Sequence, residues 1–525
     1  MIEVIFILYL LLIISVGILS NKFVSSQLDF LLAGRRLGPW VTAFSERASG
    51  ESAWLLLGLP GAAIAIGYGE IWAVIGITIG IISSWFLIAE RLRDETEKFD
   101  SLTIPDFLEK KFNDSSGLIR IISALIIGIF FTFYVSAQFH GSGKILNTIF
   151  GIEPLYGITL SAIIIIIYTI LGGLLAVAWT DLIQGVLMIG TLVVLPIVGL
   201  FELLSFDQSL SELLKFNSIE RNSVFSGLTG FGALSVALGG MSWGLGYFGQ
   251  PHLLIRYMAI KSVNDIKKAK WIAAFWAIPG ISGAFMIGII ALGYFGEEFF
   301  IGKDSEIAMP LLAQTLLPAW IAGLLISGAV AAMMSTADSQ LLVSTSAISE
   351  DLKLNKVIKT KKSNKLTSTR YITIVLGLFA YATAMYSEVS GDTIFGIVSF
   401  AWSGLGSSFG PAVILSLWWT KTTREGIIAG LLTGSIVTMI WGSSVFLKSI
   451  VTERLTSFVL AFIVVIVVSK LTFTKKEKNS KYQKGDRVKV KLKDWEQFYN
   501  GTVVKVNRNK KKVLTTYNIK LDDKE

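Results

Sequence analysis

The sequence predicts an all-α polytopic membrane protein that ends in a small C-terminal β module. Hydrophobic residues make up 53% of the 525 residues and charged residues only 16%, whereas soluble domains carry roughly a quarter charged residues. About thirteen apolar segments are long enough to cross a bilayer, which takes roughly 20 residues in a helix. Because the chain turns polar and basic after Phe473, we expect a transmembrane domain at 1–473 and a cytoplasmic tail at 474–525.

The apolar segments place the transmembrane helices along the chain. The first, at about 2–20, carries Glu3 and no basic residue, so we interpret it as a retained helix, with a secretory signal as the alternative. Several segments exceed one bilayer thickness, which predicts tilts or breaks. The others are expected at about 39–66, 68–91, 117–147, 155–172, 176–203, 227–257, 266–295, 308–346, 367–387, 393–420, 424–446 and 451–472.

The loops alternate between two classes of charge. Those at 256–270 and 353–370 are basic, whereas those at 202–220 and 297–306 are acid-rich. Lys- and Arg-rich loops stay cytoplasmic. The pattern therefore predicts a multi-pass protein of the cell membrane with its N-terminus outside and its C-terminus inside, which an odd number of helices permits.

The tail from Lys475 onward carries 16 basic and 7 acidic residues, which accounts for the whole net charge of +9. Alternating runs at 487–492 and 502–506 predict half-buried strands, with a turn at 507–509. We expect a small SH3-like or Tudor-like β-barrel at about 482–523; a disordered tail on anionic lipid is the alternative. No nucleic-acid partner is expected for the transmembrane domain, and the tail's partner stays open. The candidate core residues of the barrel are Trp495, Phe498 and Tyr499.

The composition also excludes several kinds of chemistry. The chain has no cysteine, which rules out disulfides, thiolate nucleophiles and iron–sulfur clusters, and its only histidines are His140 and His252. No P-loop pattern occurs, so ATP is not expected to supply energy. Without a convincing nucleophile–base pair, we expect neither an enzyme nor a cofactor.

The stretch from Ala331 to Ser339 places hydroxyls and one carboxylate inside an apolar segment. Ser335, Asp338 and Ser339 stand at i, i+3 and i+4, so they share one helix face. An ionisable group at membrane depth is costly and marks an ion or substrate path, and oxygen ligands suit a small hard cation. This face predicts the cation site of a membrane carrier.

Two segments are interrupted at corresponding places. The interruptions are Ser45–Trp54 and Gly239–Pro251, about five segments apart, which predicts two inverted repeats at about 39–203 and 227–420. Broken helices expose carbonyl oxygens that bind cations. Close helix packing is the alternative role for the glycines.

Charged and aromatic residues near the breaks have two interpretations each. Arg47 and Glu51 stand at i, i+4 and can form a structural ion pair or serve as ligands. Asp181 fits a helix cap or part of the cation site. The aromatic residues fit helix packing, or a pocket for a small ring or apolar substrate. They are Trp54, Tyr134, Trp243 and Tyr247.

Specific strings resemble the sodium/solute symporter family, and within it the sodium/proline symporters, from the first helix to about residue 470. The resemblance implies a LeuT-type core of 5+5 inverted helices. The strings are Leu32–Pro39, Trp54–Gly61, Ala178–Asp181, Trp243–His252 and Met334–Thr336.

The resemblance also implies site residues by motif position. The implied sodium ligands are Ala48, Glu51 through its backbone, Ala332, Ser335 and Thr336. A two-sodium pattern in some members implies a second site of Asp181, Ser335, Asp338 and Ser339. The implied substrate contacts are Trp54, Tyr134, Trp243, Tyr247 and Pro251.

The chain departs from the proline symporters in its acidic residues. Gly50 stands where they usually have aspartate, whereas Glu51 and Asp338 are acidic where they are not. The acidic charge is thus displaced rather than lost. Arg47 replaces a small residue, and selection of an anionic substrate is the alternative to its ion pair.

These features together predict a secondary active transporter. Inward sodium movement would drive uptake of a small solute, most readily L-proline. The alternatives are another amino acid or a small organic anion as substrate, or a transporter-like sensor with the tail as its output.

Overall fold

The computed structural model describes residues 1–20, 27–171, 174–351, 365–473, 487–490, 499–508 and 515–521. Apart from its tail, the described chain is helical. The helices are α1 Ile2–Ser20, α2 Gln27–Leu32, α3 Pro39–Gly50, α4 Leu59–Ile66, α5 Ile71–Ser84, α6 Glu90–Lys98, α7 Ile104–Phe112, α8 Leu118–Phe150, α9 Pro154–Leu171, α10 Leu174–Leu203, α11 Leu210–Leu213, α12 Gly230–Met241, α13 Pro251–Ala259, α14 Val263–Phe295, α15 Ala308–Leu316, α16 Ala319–Ser346, α17 Lys365–Ser390, α18 Ile394–Trp418, α19 Arg424–Ser443, α20 Val445–Ile450 and α21 Glu453–Thr472.

Nine helices in the described ranges are long and apolar enough to cross a membrane. The sequence-based count of about thirteen stays a prediction, because broken segments such as 39–66 and 227–257 divide into pieces that are individually too short. Large apolar side chains, among them Phe275 and Val389, are more than three quarters exposed, as expected for surfaces that face lipid.

The first predicted break is present. α3 begins at Pro39, which suits the first helical turn because it needs no N–H donor there. It ends at Gly50, where Glu51 has the non-helical dihedrals φ −102° and ψ 80°. The chain resumes through a π-helical turn, Trp54–Gly58, and continues as α4.

The second predicted break is also present. After α12, the chain continues as a 3₁₀ helix, Ser242–Phe248, and α13 begins at Pro251. Glycines allow this segment to approach α5 closely: a Cβ on Gly80 would lie 2.4 Å from the Cα of Gly244. Close packing and a break thus occur in the same stretch.

The segment predicted at 308–346 is not one helix. It divides into α15 and α16 at Leu317 and Pro318, because proline cannot continue a helix from the residue before it. Every residue from Leu325 to Ser346 is buried, and α16 packs against α1, α8 and α10. It is therefore a central helix of the bundle.

The described residues of the tail form a three-stranded antiparallel sheet, and the barrel expected at about 482–523 stays a prediction. The strands are β1 Arg487–Val490, β2 Tyr499–Arg508 and β3 Thr515–Leu521, in the order β1–β2–β3. Asn507 and Arg508, expected in a turn, extend β2 and pair with β3. Trp495 and Phe498 lie outside the described residues, so the core proposed for the tail stays a prediction.

Candidate functional site

The central helix α16 meets the end of α3 at the first break. The Ser335 hydroxyl donates to the carbonyl oxygens of Ala48 (2.9 Å) and Ala332 (3.0 Å), and the Thr336 hydroxyl donates to that of Ser49 (3.1 Å). All of these residues are fully buried. Carbonyl and hydroxyl oxygens from two distant parts of the chain thus come together away from solvent.

The break explains why these carbonyls are available. In a continuous helix the Ser49 carbonyl would accept from the N–H of residue 53. Here the Ala53 N–H instead donates to Gln138 Oε1 of α8 at 3.0 Å. The last turn of α3 therefore offers backbone oxygens to α16 rather than to its own helix.

Four of the five residues implied as sodium ligands contribute to this meeting point. Ala48 and Ala332 supply carbonyls, and Ser335 and Thr336 supply hydroxyls. Glu51 lies at the break itself, and its carboxylate takes part in a different cluster. Hard, uncharged oxygens of this kind suit an alkali cation.

The residues of the implied second site surround an arginine. The Arg256 Nη2 donates to Ser339 Oγ (2.6 Å), Ser49 Oγ (2.7 Å) and Asp181 Oδ2 (3.2 Å). Asp338 lies beside Ser339, whose hydroxyl donates to its Oδ1 at 3.3 Å. The predicted oxygens are together, but a guanidinium lies among them.

Two sequence interpretations are corrected here. Asp181 is not a helix cap, because α10 begins at Leu174 and Asp181 is interior to it; the Ser45 hydroxyl donates to it at 2.6 Å. Arg256 does not belong to a basic loop but lies in α13, completely buried. Arg256 precedes residue 257, the predicted end of the apolar segment 227–257. This position already indicated a helix rather than a loop.

A second buried ion cluster joins Glu46, Arg47 and Glu51. Arg47 donates Nε (2.7 Å) and Nη2 to Glu46, and Nη1 to Glu51 at 2.6 Å. All three side chains are fully buried. Further donors stabilise the carboxylates: Trp85 Nε1 bonds Glu46 at 2.9 Å, and the Tyr247 hydroxyl bonds Glu51 at 3.1 Å.

Aromatic rings from both breaks gather beside this ion cluster. Trp54 and Trp243 stack with centroids 5.7 Å apart and planes at 20°. Trp402 lies edge-on to Tyr247 (4.7 Å) and Tyr134 (6.2 Å), and all five rings are buried.

Trp402 was missed by sequence reasoning. A tryptophan near the middle of a predicted span, rather than at a membrane interface, was its only signal. Its indole donates to the Trp243 carbonyl at 2.9 Å, and its own carbonyl accepts from Gln250 Nε2 at 3.0 Å. Gln250 precedes Pro251, which begins α13, so the fifth implied substrate residue adjoins the ring cluster through the backbone.

Similarity to known proteins extends over most of the chain. The model of the sodium:solute symporter family matches residues 30–434. The high-affinity proline transporter PutP of Bacillus subtilis (strain 168) is 38% identical over 459 residues, covering 87% of this chain and 95% of that protein. The sodium/proline symporter of Escherichia coli (strain K12) is 39% identical over 442 residues, covering 83% and 86%.

A solved structure shows that the fold is also shared. A Na⁺-coupled sialic acid symporter in its substrate-bound outward-open state superposes with a TM-score of 0.73 at 19% identity, covering 90% of this chain and 98% of that one. At this identity the likeness concerns the fold alone. With the family match spanning most of the chain and both proline-transporting relatives above 30% identity, the chain belongs to the sodium:solute symporter family.

Proposed function

We propose that this protein couples inward movement of sodium to uptake of L-proline across the cell membrane. The observation that carries the proposal is the contact of the Ser335 and Thr336 hydroxyls with the carbonyls freed at the end of α3. A cation held there would join α3 to α16. Two relatives named for proline transport, at 38% and 39% identity, support the choice of substrate.

The sodium ligands in this proposal are the oxygens at the first break and on α16. They are Ala48, Glu51 through its backbone, Ala332, Ser335 and Thr336. A second sodium at Asp181, Asp338 and Ser339 would have to share its site with the Arg256 guanidinium, which donates to both Asp181 and Ser339. Electrostatic repulsion between a sodium ion and the Arg256 guanidinium in the same site favours a single sodium per transport cycle.

The substrate contacts in this proposal are the aromatic rings that join the two breaks. A small saturated ring would be enclosed by the flat apolar faces of Trp54, Tyr134, Trp243 and Tyr247, together with Pro251 at the start of α13. An anionic substrate held by Arg47 is less consistent with its contacts, because Nε, Nη1 and Nη2 all donate to Glu46 or Glu51.

The coupling would follow from ligands that prefer one conformation. Sodium would bridge α3 and α16 through shared ligands, and the substrate would bridge the aromatic rings of the first break and those of the second. Each would then increase affinity for the other by the same factor. Moving one charge inward through 100 mV releases about 2.3 kcal/mol, before any concentration gradient.

The remaining architecture is proposed on the same basis. The segments 39–203 and 227–420 would be the two inverted repeats of a LeuT-type transporter domain at 1–473, and the sheet-containing tail at 474–525 would be cytoplasmic, with the N-terminus outside. The basic tail would approach anionic lipid. The protein would act as a carrier and not as an enzyme, with sodium as its co-transported ion.

Uptake into proteoliposomes tests the function directly. Purified protein should accumulate labelled L-proline when sodium outside exceeds sodium inside, and not with potassium in its place. Unlabelled proline outside the vesicles should exchange with labelled proline inside them (counterflow), as expected of a carrier and not of a channel. Sodium-independent accumulation, or uptake of other amino acids with no response to proline, would contradict the proposal.

A further inference from the structure

The Glu51 carboxylate has one oxygen that the structure leaves unused. Oε1 accepts from Arg47 Nη1 at 2.6 Å and from the Tyr247 hydroxyl at 3.1 Å. Oε2 is buried and has no hydrogen-bond partner in the described part of the chain. A buried carboxylate oxygen without a donor is costly, so this oxygen is suited to a donor that arrives with a ligand.

The charge of the cluster indicates what kind of donor. Two carboxylates, Glu46 and Glu51, share the single guanidinium of Arg47. Glu46 takes two of its N–H groups and also accepts from Trp85 Nε1. Glu51 contacts the guanidinium only through Oε1, so two acidic side chains share one cationic group, and a cationic N–H donor would complete the cluster.

Aromatic side chains from both breaks surround Glu51. Glu51 lies at the first break, and the carbonyl of its neighbour Gly50 accepts from Trp54 Nε1 at 3.0 Å. Trp54 stacks on Trp243 across the two breaks, and Tyr247, which bonds Glu51, packs against Trp402. A ligand between these rings would have the free carboxylate oxygen at its edge.

We propose that the Glu51 side chain is the acceptor for the protonated amine of the substrate, and that Arg47 positions it. This inference rests on the proposed function and adds a substrate rule: the solute must carry a cationic N–H group, as proline does in its secondary ammonium. The role is separate from any backbone contact of Glu51 with sodium.

Competition against labelled L-proline in proteoliposomes tests the rule. Tetrahydrofuran-2-carboxylate keeps the five-membered ring and carboxylate of proline but has a ring oxygen instead of the ammonium. In the wild type it should compete at least about tenfold more weakly than unlabelled proline, because a hydrogen bond to a charged group is lost.

The variant Glu51→Gln should remove that preference. It should raise the half-saturating proline concentration about 10- to 100-fold and bring the two competitors within about threefold of each other. Arg47 keeps Glu46 as its partner and the cluster becomes neutral, so folding should survive. Glu51→Asp, which keeps the charge, should retain the preference at reduced affinity. The half-saturating sodium concentration at saturating proline should change by less than about threefold.

The outcomes separate this inference from the proposed function. Absence of sodium-driven proline uptake in the wild type would contradict the function itself. Proline uptake in which Glu51→Gln leaves both competition constants unchanged, or weakens both equally, would overturn the role of Glu51 alone. If Glu51→Gln does not fold, equal competition by the two compounds in the wild type would still overturn it. Glu202→Gln, on an exposed surface, serves as the control for loss of a carboxylate and should behave as wild type.

Discussion

At the scale of single residues, the site depends on which buried polar groups have partners within the chain and which do not. Ser335 and Thr336 donate to backbone carbonyls that the broken helix cannot satisfy by itself. A sodium ion would take up the same oxygens. The sequence shows that both residues carry hydroxyls, but it does not show that they pair with residues 287 positions earlier.

Ser335→Ala and Thr336→Ala should each weaken sodium activation of transport. Loss of one hard oxygen ligand should raise the half-saturating sodium concentration about tenfold or more. Initial rates of proline uptake across a sodium series measure this. Ser344→Ala is the matched control on the same buried helix, because its hydroxyl has no partner among the described residues; an equal effect of all three variants would exclude a specific role for Ser335 and Thr336.

At the scale of elements, two interrupted helices create the site because each ends inside the bundle. Their carbonyls and rings come to lie beside α16 and beside each other. Glycine, proline and charged residues within apolar segments predicted both interruptions, whereas the division of 308–346 into α15 and α16 became clear only from the structure. Close approach of the second break to α5 depends on Gly80 and Gly244.

Gly80→Ala should destabilise the protein and reduce transport. Its Cβ would lie 2.4 Å from the Gly244 Cα, so the 3₁₀ segment that carries Trp243 must shift, at about 1–3 kcal/mol for overpacking. The thermal unfolding midpoint in detergent, with proline uptake, measures both effects. Gly190→Ala in α10 is the control: an added Cβ meets no described atom within 4 Å, and alanine favours helix. Similar midpoints for both variants would contradict the packing argument.

At the scale of the whole molecule, hydrogen bonds and ion pairs outside the membrane-spanning segments connect distant parts of the chain. Asp114, in the loop between α7 and α8, accepts from Arg424 Nε at the start of α19 at 2.8 Å. Burial raises the pKa of its carboxyl, but hydrogen bonds from Ser116, the Ile119 N–H and Arg424 outweigh burial and lower the pKa to about 2. The ionised form is thus favoured in the folded protein.

Asp114→Asn should destabilise the protein near neutral pH, by about 1–3 kcal/mol for lost bonds to a charged group. An unfolded aspartate titrates near pH 3.9. The folded-state pKa is lower, so this stabilisation is complete above about pH 4 and is lost as pH falls toward 2. The gap between the unfolding midpoints of wild type and variant should be full at pH 7, narrow as pH falls below 4, and nearly close at pH 2. A gap at pH 2 as large as that at pH 7, or an equal loss in the exposed control Asp207→Asn, would contradict this role.

The sequence by itself determined the membrane class, the two breaks, the hydroxyl face of α16 and, by resemblance, the family. These features are local: hydropathy, glycine and proline positions and side-chain type act within one segment. Tertiary structure alone decided that Arg256 lies among Asp181 and Ser339, that Trp402 joins the ring cluster, and that Glu51 keeps a free oxygen. The reason is physical: packing brings together partners from different segments to stabilise a buried charge, and the local pattern of one segment does not identify its partners in another.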